Sequence, residues 1–434
     1  MKFTFESSFQ SNVDGVKIAY ACLQLNDKSQ TPNKNAIAFF TGYKECYEKY
    51  LPFLTNLHKQ GSFDIYTMDH RNQGLSGDTP GMIYEKGWED GSGKRVVNVD
   101  NFLDTYVEDM KQFLETIVKK QTYHDETKEK VEASPYESIC VVTHSMGGLI
   151  AAKLAEMTGT TLFDRMALSA PMMLHKNILD VGGLFDLELP ISVANAFASF
   201  MKFIKLGKVK ADGRDTNASK ETTELLSHSP EKIRAWNELR KMRPQIVLAG
   251  ASFSWAKAAL DFEKSVIENA HKIQIPTIIF MSEDDAFVYH SAIQKFVDQM
   301  NNDNKAILIG PVANSYHELL YEKDEIVIPI QNTISAFASL GKTKYVNAAS
   351  EGNTIPVSLT SAMNTIPISK HGFDDKIRRP SGSHSGWKPP TWPTALILRD
   401  NPNTRYFLFT LVKGVLLTGL FRTTYNFWTR NKKN

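Results

Sequence analysis

Ser145 stands in the run Val141-Val142-Thr143-His144-Ser145-Met146-Gly147-Gly148, with small residues directly behind it. A serine hydroxyl is a weak nucleophile until a neighbouring base takes its proton, and that base works best when an acid fixes its tautomer. Both partners are available downstream. Ser282-Glu283-Asp284-Asp285 supplies three carboxylates, and His317 follows in Tyr316-His317-Glu318-Leu319-Leu320. Serine, then acid, then histidine is one of the chain orders in which this chemistry occurs. Taken singly, each piece has an ordinary reading: a tight β-to-α turn, a solvated acidic turn, a surface histidine. The joint order Ser145, Asp285, His317 is far more specific. His290 is a competing base, nearer the acidic turn, and any of the three carboxylates could orient the ring.

Elements of definite kinds must hold these residues. Ile139 to Val142 is β-type and Leu149 to Met157 is helical, so Ser145 falls at the apex of a strand, a very tight turn and a helix. There Oγ stands clear of the backbone, and the following N–H groups point at whatever it attacks. The usual pattern is G-x-S-x-G. Thr143 replaces the first glycine, so some strain or a slight shift is expected, while Gly147 and Gly148 are present. Two donors are expected for a developing oxyanion, the N–H of Met146 and the N–H of Tyr43 on the loop after an early strand, Ala36 to Phe40.

Further strands are read at Val16 to Leu25, Phe63 to Met68, Phe163 to Ser169, Pro276 to Met281 and Lys305 to Ile309. Helices are read at Cys46 to Gln60, Asn101 to Lys119 and Ser291 to Met300. The alternation predicts an α/β protein with a doubly wound, mostly parallel sheet, and ligands then sit at the carboxyl ends of the strands. The stretch from Ala170 to about Phe262 breaks the alternation and is mostly helical and apolar, for example Val193 to Ile204. It reads as an inserted helical cap, at about 171–262. Gln121 to Pro135 is charged and reads as a solvated insertion.

The chain has 434 residues, 42% hydrophobic and 23% charged, which suits a globular protein with a substantial core. A net charge of +2 implies no nucleic-acid partner. Cys22, Cys46 and Cys140 have no metal-ligand spacing, and Cys140 reads as a buried, inert thiol in a reducing compartment. Met1 to Ser8 lacks a basic region followed by an apolar core, so the protein is expected to be cytoplasmic and not secreted. No metal and no organic cofactor is called for, because Ser, His and a carboxylate suffice.

Several stretches resemble the monoacylglycerol lipase and lysophospholipase branch of the α/β-hydrolases. Thr41-Gly42-Tyr43 through Tyr50 is similar to that group's His-Gly oxyanion segment. Asp69-His70-Arg71-Asn72-Gln73-Gly74-Leu75-Ser76-Gly77 resembles its D-H-R-G-x-G-x-S-G turn. Val99 through Asp109 is similar to its helix with Tyr-Val-x-Asp, and His144 to Gly148 matches its elbow. Ser282 to Val288 resembles G-x-x-D-x-x-V, which selects Asp285, and Tyr316 to Leu320 matches the histidine motif. Ser227-His228-Ser229-Pro230-Glu231 and Ala249 to Trp255 look most like the bacterial lysophospholipases. The likeness covers roughly residues 10 to 340. It departs at Thr41 for His, Asn72 for Gly and Thr143 for Gly, which touches oxyanion geometry and no reacting group.

The resemblance implies an α/β-hydrolase fold and hydrolysis of an ester carrying one long acyl chain, a lysophospholipid or a monoacylglycerol. Two other readings share the same residues: an acyltransferase, with an alcohol replacing water, and a lipid-binding relative without activity. The catalytic domain is expected over 1–345 and a C-terminal extension over 346–434. Within that extension Tyr406 to Phe421 is strongly apolar and would make a helix of roughly 24 Å at 1.5 Å per residue. A bilayer core is about 30 Å, and Lys413 sits mid-segment. With the basic and aromatic residues around it, 405–433 fits an interfacial membrane contact. The alternative is a helix docked on the body or at a dimer contact.

Overall fold

The strand before Ser145, Ser138–His144 (β5), is buried along its whole length. Its period-2 alternation feeds two cores at once. Ile139 and Val141 join a cluster with Phe102, Met110, Leu149 and Phe296. Cys140 and Val142 join another with Phe53, Leu54, Ile330 and Ile334. A strand apolar on both faces needs helices on both faces, and this one has them.

In this computed structural model the described residues are 2–24, 35–61, 63–84, 95–119, 121–124, 130–133, 136–176, 178–180, 186–188, 190–209, 211, 225–248, 250–300, 306–340 and 356–370. The central sheet adds Phe5–Gln10 (β1), Lys17–Leu23 (β2), Asn35–Phe40 (β3), Asp64–Met68 (β4), Arg165–Ser169 (β6), Thr277–Ser282 (β7) and Ala306–Val312 (β8). The strand order is β1-β2-β4-β3-β5-β6-β7-β8. β1 pairs β2 and β2 pairs β4 antiparallel, and every other pairing is parallel. The reversal of direction of winding at β3 and β5 leaves the elbow at a switch point of the sheet, where open α/β sheets hold their ligands.

One helical layer contains Glu108–Phe113 (α2), extended at both ends by π-helical turns, and Met146–Thr158 (α3). The other contains Leu51–Gly61 (α1) and Asp324–Ala338 (α8). Between β6 and β7 the chain inserts Ile191–Phe203 (α4), Pro230–Met242 (α5) and Phe253–Glu268 (α6). Ser229 caps α5 and Ser252 caps α6, each accepting from the backbone N–H three residues on. His290–Met300 (α7) follows β7. Residues expected as a solvated insertion form a short antiparallel ribbon, Gln121–His124 with Lys130–Ala133.

The chain divides into two units, Met1–Arg379 and Pro380–Asn434. The second, and with it the apolar segment at 405–433, lies outside the described residues. Part of the C-terminal extension does lie within them. Val357–Met363 (α9) packs Leu359 into the core beside Phe337, and Ser369 donates its N–H to Pro311 O at 2.8 Å. Among the described residues no helix is long and apolar enough to cross a membrane.

The turn after β4 is anchored by charge. Arg71, fully buried, donates from Nε to Asp109 Oδ2 at 2.6 Å and from Nη2 to Asp109 Oδ1 at 2.8 Å. Its Nη1 reaches Asp14 Oδ2 at 2.9 Å. Removing one partner of a buried ion pair leaves the other charge stranded, at a cost of about 3–5 kcal/mol. Asp109→Ala should therefore lower stability by about that much, read from the urea midpoint. A midpoint equal to wild type would show that Arg71 needs no partner there.

Candidate active site

Ser145 has φ 49° and ψ −114°, a conformation that residues with a β-carbon rarely adopt. Three hydrogen bonds impose it. Its N–H donates to Ser169 O at 3.0 Å, and its carbonyl accepts from Met172 N–H at 3.0 Å and Gly148 N–H at 2.9 Å. Close packing demands the glycines. A β-carbon on Gly147 would lie 2.7 Å from Thr41 O and 2.8 Å from Phe40 O. One on Gly148 would lie 2.8 Å from Pro171 Cβ and 3.1 Å from Thr143 Oγ1. The second glycine thus makes room for Thr143, which stays on the extended strand while the unusual φ falls on Ser145.

Ser145 Oγ–H lies 3.0 Å from His317 Nε2, and His317 Nδ1–H lies 2.8 Å from Asp285 Oδ2. The other oxygen of Asp285 accepts the N–H groups of Phe287 at 2.8 Å and Val288 at 2.9 Å. Burial alone would raise the Asp285 pKa. The His317 charge and hydrogen bond, with the Phe287 N–H, outweigh burial and hold it well below the ordinary carboxylate value. Burial would likewise lower the His317 pKa, but the Asp285 charge and hydrogen bond raise it above the ordinary value of 6.5. Of the three acidic residues, only Asp285 meets His317. Glu283 instead accepts from Asn314 N–H at 2.8 Å and from the Ser369 hydroxyl, so it ties the extension to this loop. His290 begins α7 and is fully buried.

Met146 opens α3, so its N–H has no acceptor within the helix and points forward from the turn. The loop bearing Tyr43 lies against Ser145. A β-carbon on Gly42 would sit 3.1 Å from Ser145 Cβ. Gly42 donates its N–H to Glu45 Oε2 at 2.6 Å, and its carbonyl accepts from Gln73 Nε2 at 2.9 Å. The Tyr43 ring stacks on Trp255 of the inserted segment at 4.6 Å. Gln73 sits in the turn where Asn72 replaces a glycine. Asn72 has φ 67° there, a left-handed value that asparagine tolerates. Thr41, in place of histidine, is fully buried.

Below these residues lies a charge cluster that spacing alone does not reveal. Lys49 Nζ is 2.5 Å from both Glu45 Oε1 and Glu318 Oε1, all three buried. The Lys49 ammonium also faces the rings of Tyr321 at 4.9 Å and Trp236 at 5.2 Å. Burial would raise Glu45, and the Lys49 charge and hydrogen bond, with the Tyr50 hydroxyl, pull it below its ordinary value; burial raises Glu318. His144, fully buried beside His317, is pushed down to about 3 chiefly by desolvation and is neutral. Glu45, His144 and Glu318 have ligand atoms within 4.8 Å of one another. The Lys49 ammonium already serves as the cation for that set. The sequence clue was a lysine four residues after a glutamate on a face that is otherwise aromatic.

Comparison with known proteins agrees with this frame. The family described as serine aminopeptidase, S33, matches residues 31–324. A curated relative, lysophospholipase L2 of Escherichia coli (strain K12), is 24% identical over 286 residues, 65% of this chain and 74% of that protein. A soluble variant of monoglyceride lipase from Saccharomyces cerevisiae, solved with a substrate analog, superposes with a TM-score of 0.54 at 14% identity, covering 78% of this chain and 96% of that one. The monoacylglycerol lipase of Paleococcus ferrophilus gives 0.50 at 14% identity, covering 78% and 98%. At such identity the two structures speak for the fold, an α/β-hydrolase.

The contact at Gly147 generates a direct test. Gly147→Ala forces a methyl group onto two carbonyl oxygens and should cost about 1–3 kcal/mol, measured as a lowered urea midpoint. An unaltered midpoint would mean that helix and strand do not meet as described.

Proposed function

The chain belongs to the serine aminopeptidase, S33, family of α/β-hydrolases, and from that premise we propose that it cleaves the carboxylic ester of a lipid with a single acyl chain. The observation that supports this reading is the unbroken run of bonds from Ser145 through His317 to Asp285, 3.0 and 2.8 Å long. In the proposed reaction Ser145 Oγ attacks the acyl carbon as its proton passes to His317 Nε2. Asp285 holds the Nδ1–H tautomer and stabilises the imidazolium. The oxyanion is met by the N–H groups of Met146 and Tyr43, and losing one such donor typically costs on the order of 10²–10³ in rate. The intermediate collapses to an acyl-serine, and His317 returns the proton to the departing alcohol. Water, deprotonated by the same imidazole, then releases the fatty acid.

The name of the Escherichia coli relative suggests a lysophospholipid, and those of the solved structures a monoacylglycerol. The inserted cap supports a long acyl chain, since each buried CH₂ adds about 0.8 kcal/mol. We further propose that 405–433 holds the protein at a membrane surface, where such substrates reside. Deletion of 396–434 is then expected to shift the protein from sedimented vesicles to the supernatant. Equal partition of both forms would refute the anchor.

Fatty-acid release from a lysophospholipid and from a monoacylglycerol, measured side by side, tests the main proposal. Ser145→Ala should lose about 10⁴-fold or more on whichever substrate is cleaved. Because His317 must be neutral to accept the proton, kcat/KM should rise with pH through a value above 6.5 and be lost below it. Hydrolysis retained by Ser145→Ala, or a rate that is flat across that range, would refute the mechanism.

A further inference from the structure

His317 lies between Tyr316 and Glu318, and the backbone N–H groups of both are held by acceptors outside its own loop. On one side the Tyr316 N–H donates to Glu322 Oε1 at 2.8 Å. On the other the Glu318 N–H donates to Leu226 O at 3.0 Å. Leu226 belongs to the insertion between β6 and β7, as does His228. The His228 backbone N–H donates to Glu322 Oε2 at 2.9 Å, and its ring Nδ1–H donates to Glu322 Oε1 at 2.9 Å. Its ring also lies flat on Tyr316, with centroids 3.7 Å apart and planes 20° from parallel. A carboxylate only accepts hydrogen bonds, so Glu322 gathers donors from the cap and from the histidine loop onto one fully buried group.

Resting on the reading of His317 as the base, we infer that Glu322 and the cap segment Leu226–Ser229 form the positioning device of His317. None of them touches the reacting atoms. The device has a functional consequence. His317 already lies in line with Ser145 at 3.0 Å, so a change that frees Leu226 or His228 from this arrangement takes that alignment away. The Ser-His-Ser-Pro-Glu stretch of the cap thus helps to hold His317 in line, with Glu322 as the link between them.

The test uses the full chain and two readouts. Glu322→Gln keeps the shape but turns an N–H₂ group toward the donors that the carboxylate accepted from. For a soluble p-nitrophenyl ester, kcat should fall about tenfold or more with KM within about twofold, since a small misalignment of a catalytic group can cost up to about 10²-fold. The low-field proton resonance of His317 Nδ1–H, assigned by its disappearance in His317→Gln, should move upfield or broaden. A folded Glu322→Gln protein with wild-type kcat and an unmoved resonance would overturn the inference. If the melting curve finds that variant unfolded, His228→Phe decides by the same two readings. It keeps the stack on Tyr316 and removes only the ring donor. Hydrolysis retained by Ser145→Ala would refute the serine reading instead, and the resonance would still decide whether Glu322 positions His317.

Discussion

Behind Ser145 three backbone segments approach so closely that a β-carbon has no place among them. The first turn of α3 presses Gly147 on the carbonyls of Phe40 and Thr41, and Gly42 presses on Ser145 itself. This crowding gives the serine its positive φ, and a conformation of that kind costs of order 1–3 kcal/mol when nothing enforces it. Here the buried surroundings enforce it, with Ser145 N–H donating to Ser169 O and Met172 N–H donating to Ser145 O. Ser145 and the loop after β3 are therefore set by one packing constraint, and the deep hydrophobic layers on both faces of β5 supply the stability that it draws on.

Beneath that layer sits charge rather than hydrocarbon. Two glutamates share one lysine, and aromatic rings close over the ammonium. Replacing a buried ion cluster by apolar side chains is often neutral or favourable for stability. Its value here is geometric. Glu45 grips the Gly42 N–H of the loop after β3, while Glu318 follows His317 directly, so Lys49 ties the Gly42 loop to the His317 loop. The neutral His144 fills the space between without adding a second positive charge beside the base.

Much of this was legible in the amino-acid sequence. The period-2 and period-3.6 patterns located most of the central strands and the helices beside them, because each has a face that must be buried. Chain order joined Ser145 to His317, and the loop motif chose Asp285 from its neighbours. The sequence did not disclose β1, whose residues are mostly exposed and which pairs only along its edge with β2. Nor did it disclose the two-residue and three-residue strands at 250–251 and 95–97, since elements so short carry no periodicity. Gln73, Lys49 and Glu322 were missed for another reason. Most of their partners lie far along the chain or are backbone groups, and side-chain identity does not encode those contacts.

The bonds between residues 367–369 and the end of the last strand also bear on how the molecule behaves in company. β8 is an outer strand of the sheet. An outer strand offers a row of peptide groups to which any other extended chain can add. Ile368 bridges to Val312, Ala313 donates to Pro367 O, and Ser369 donates to Pro311 O, so the end of that row is occupied from within. What looks in sequence like an appendage to a hydrolase thus acts as a selvedge. It finishes the sheet where it would otherwise fray into contact with a neighbour, and it makes self-association, rather than chemistry, the first property at stake when this part of the chain is altered.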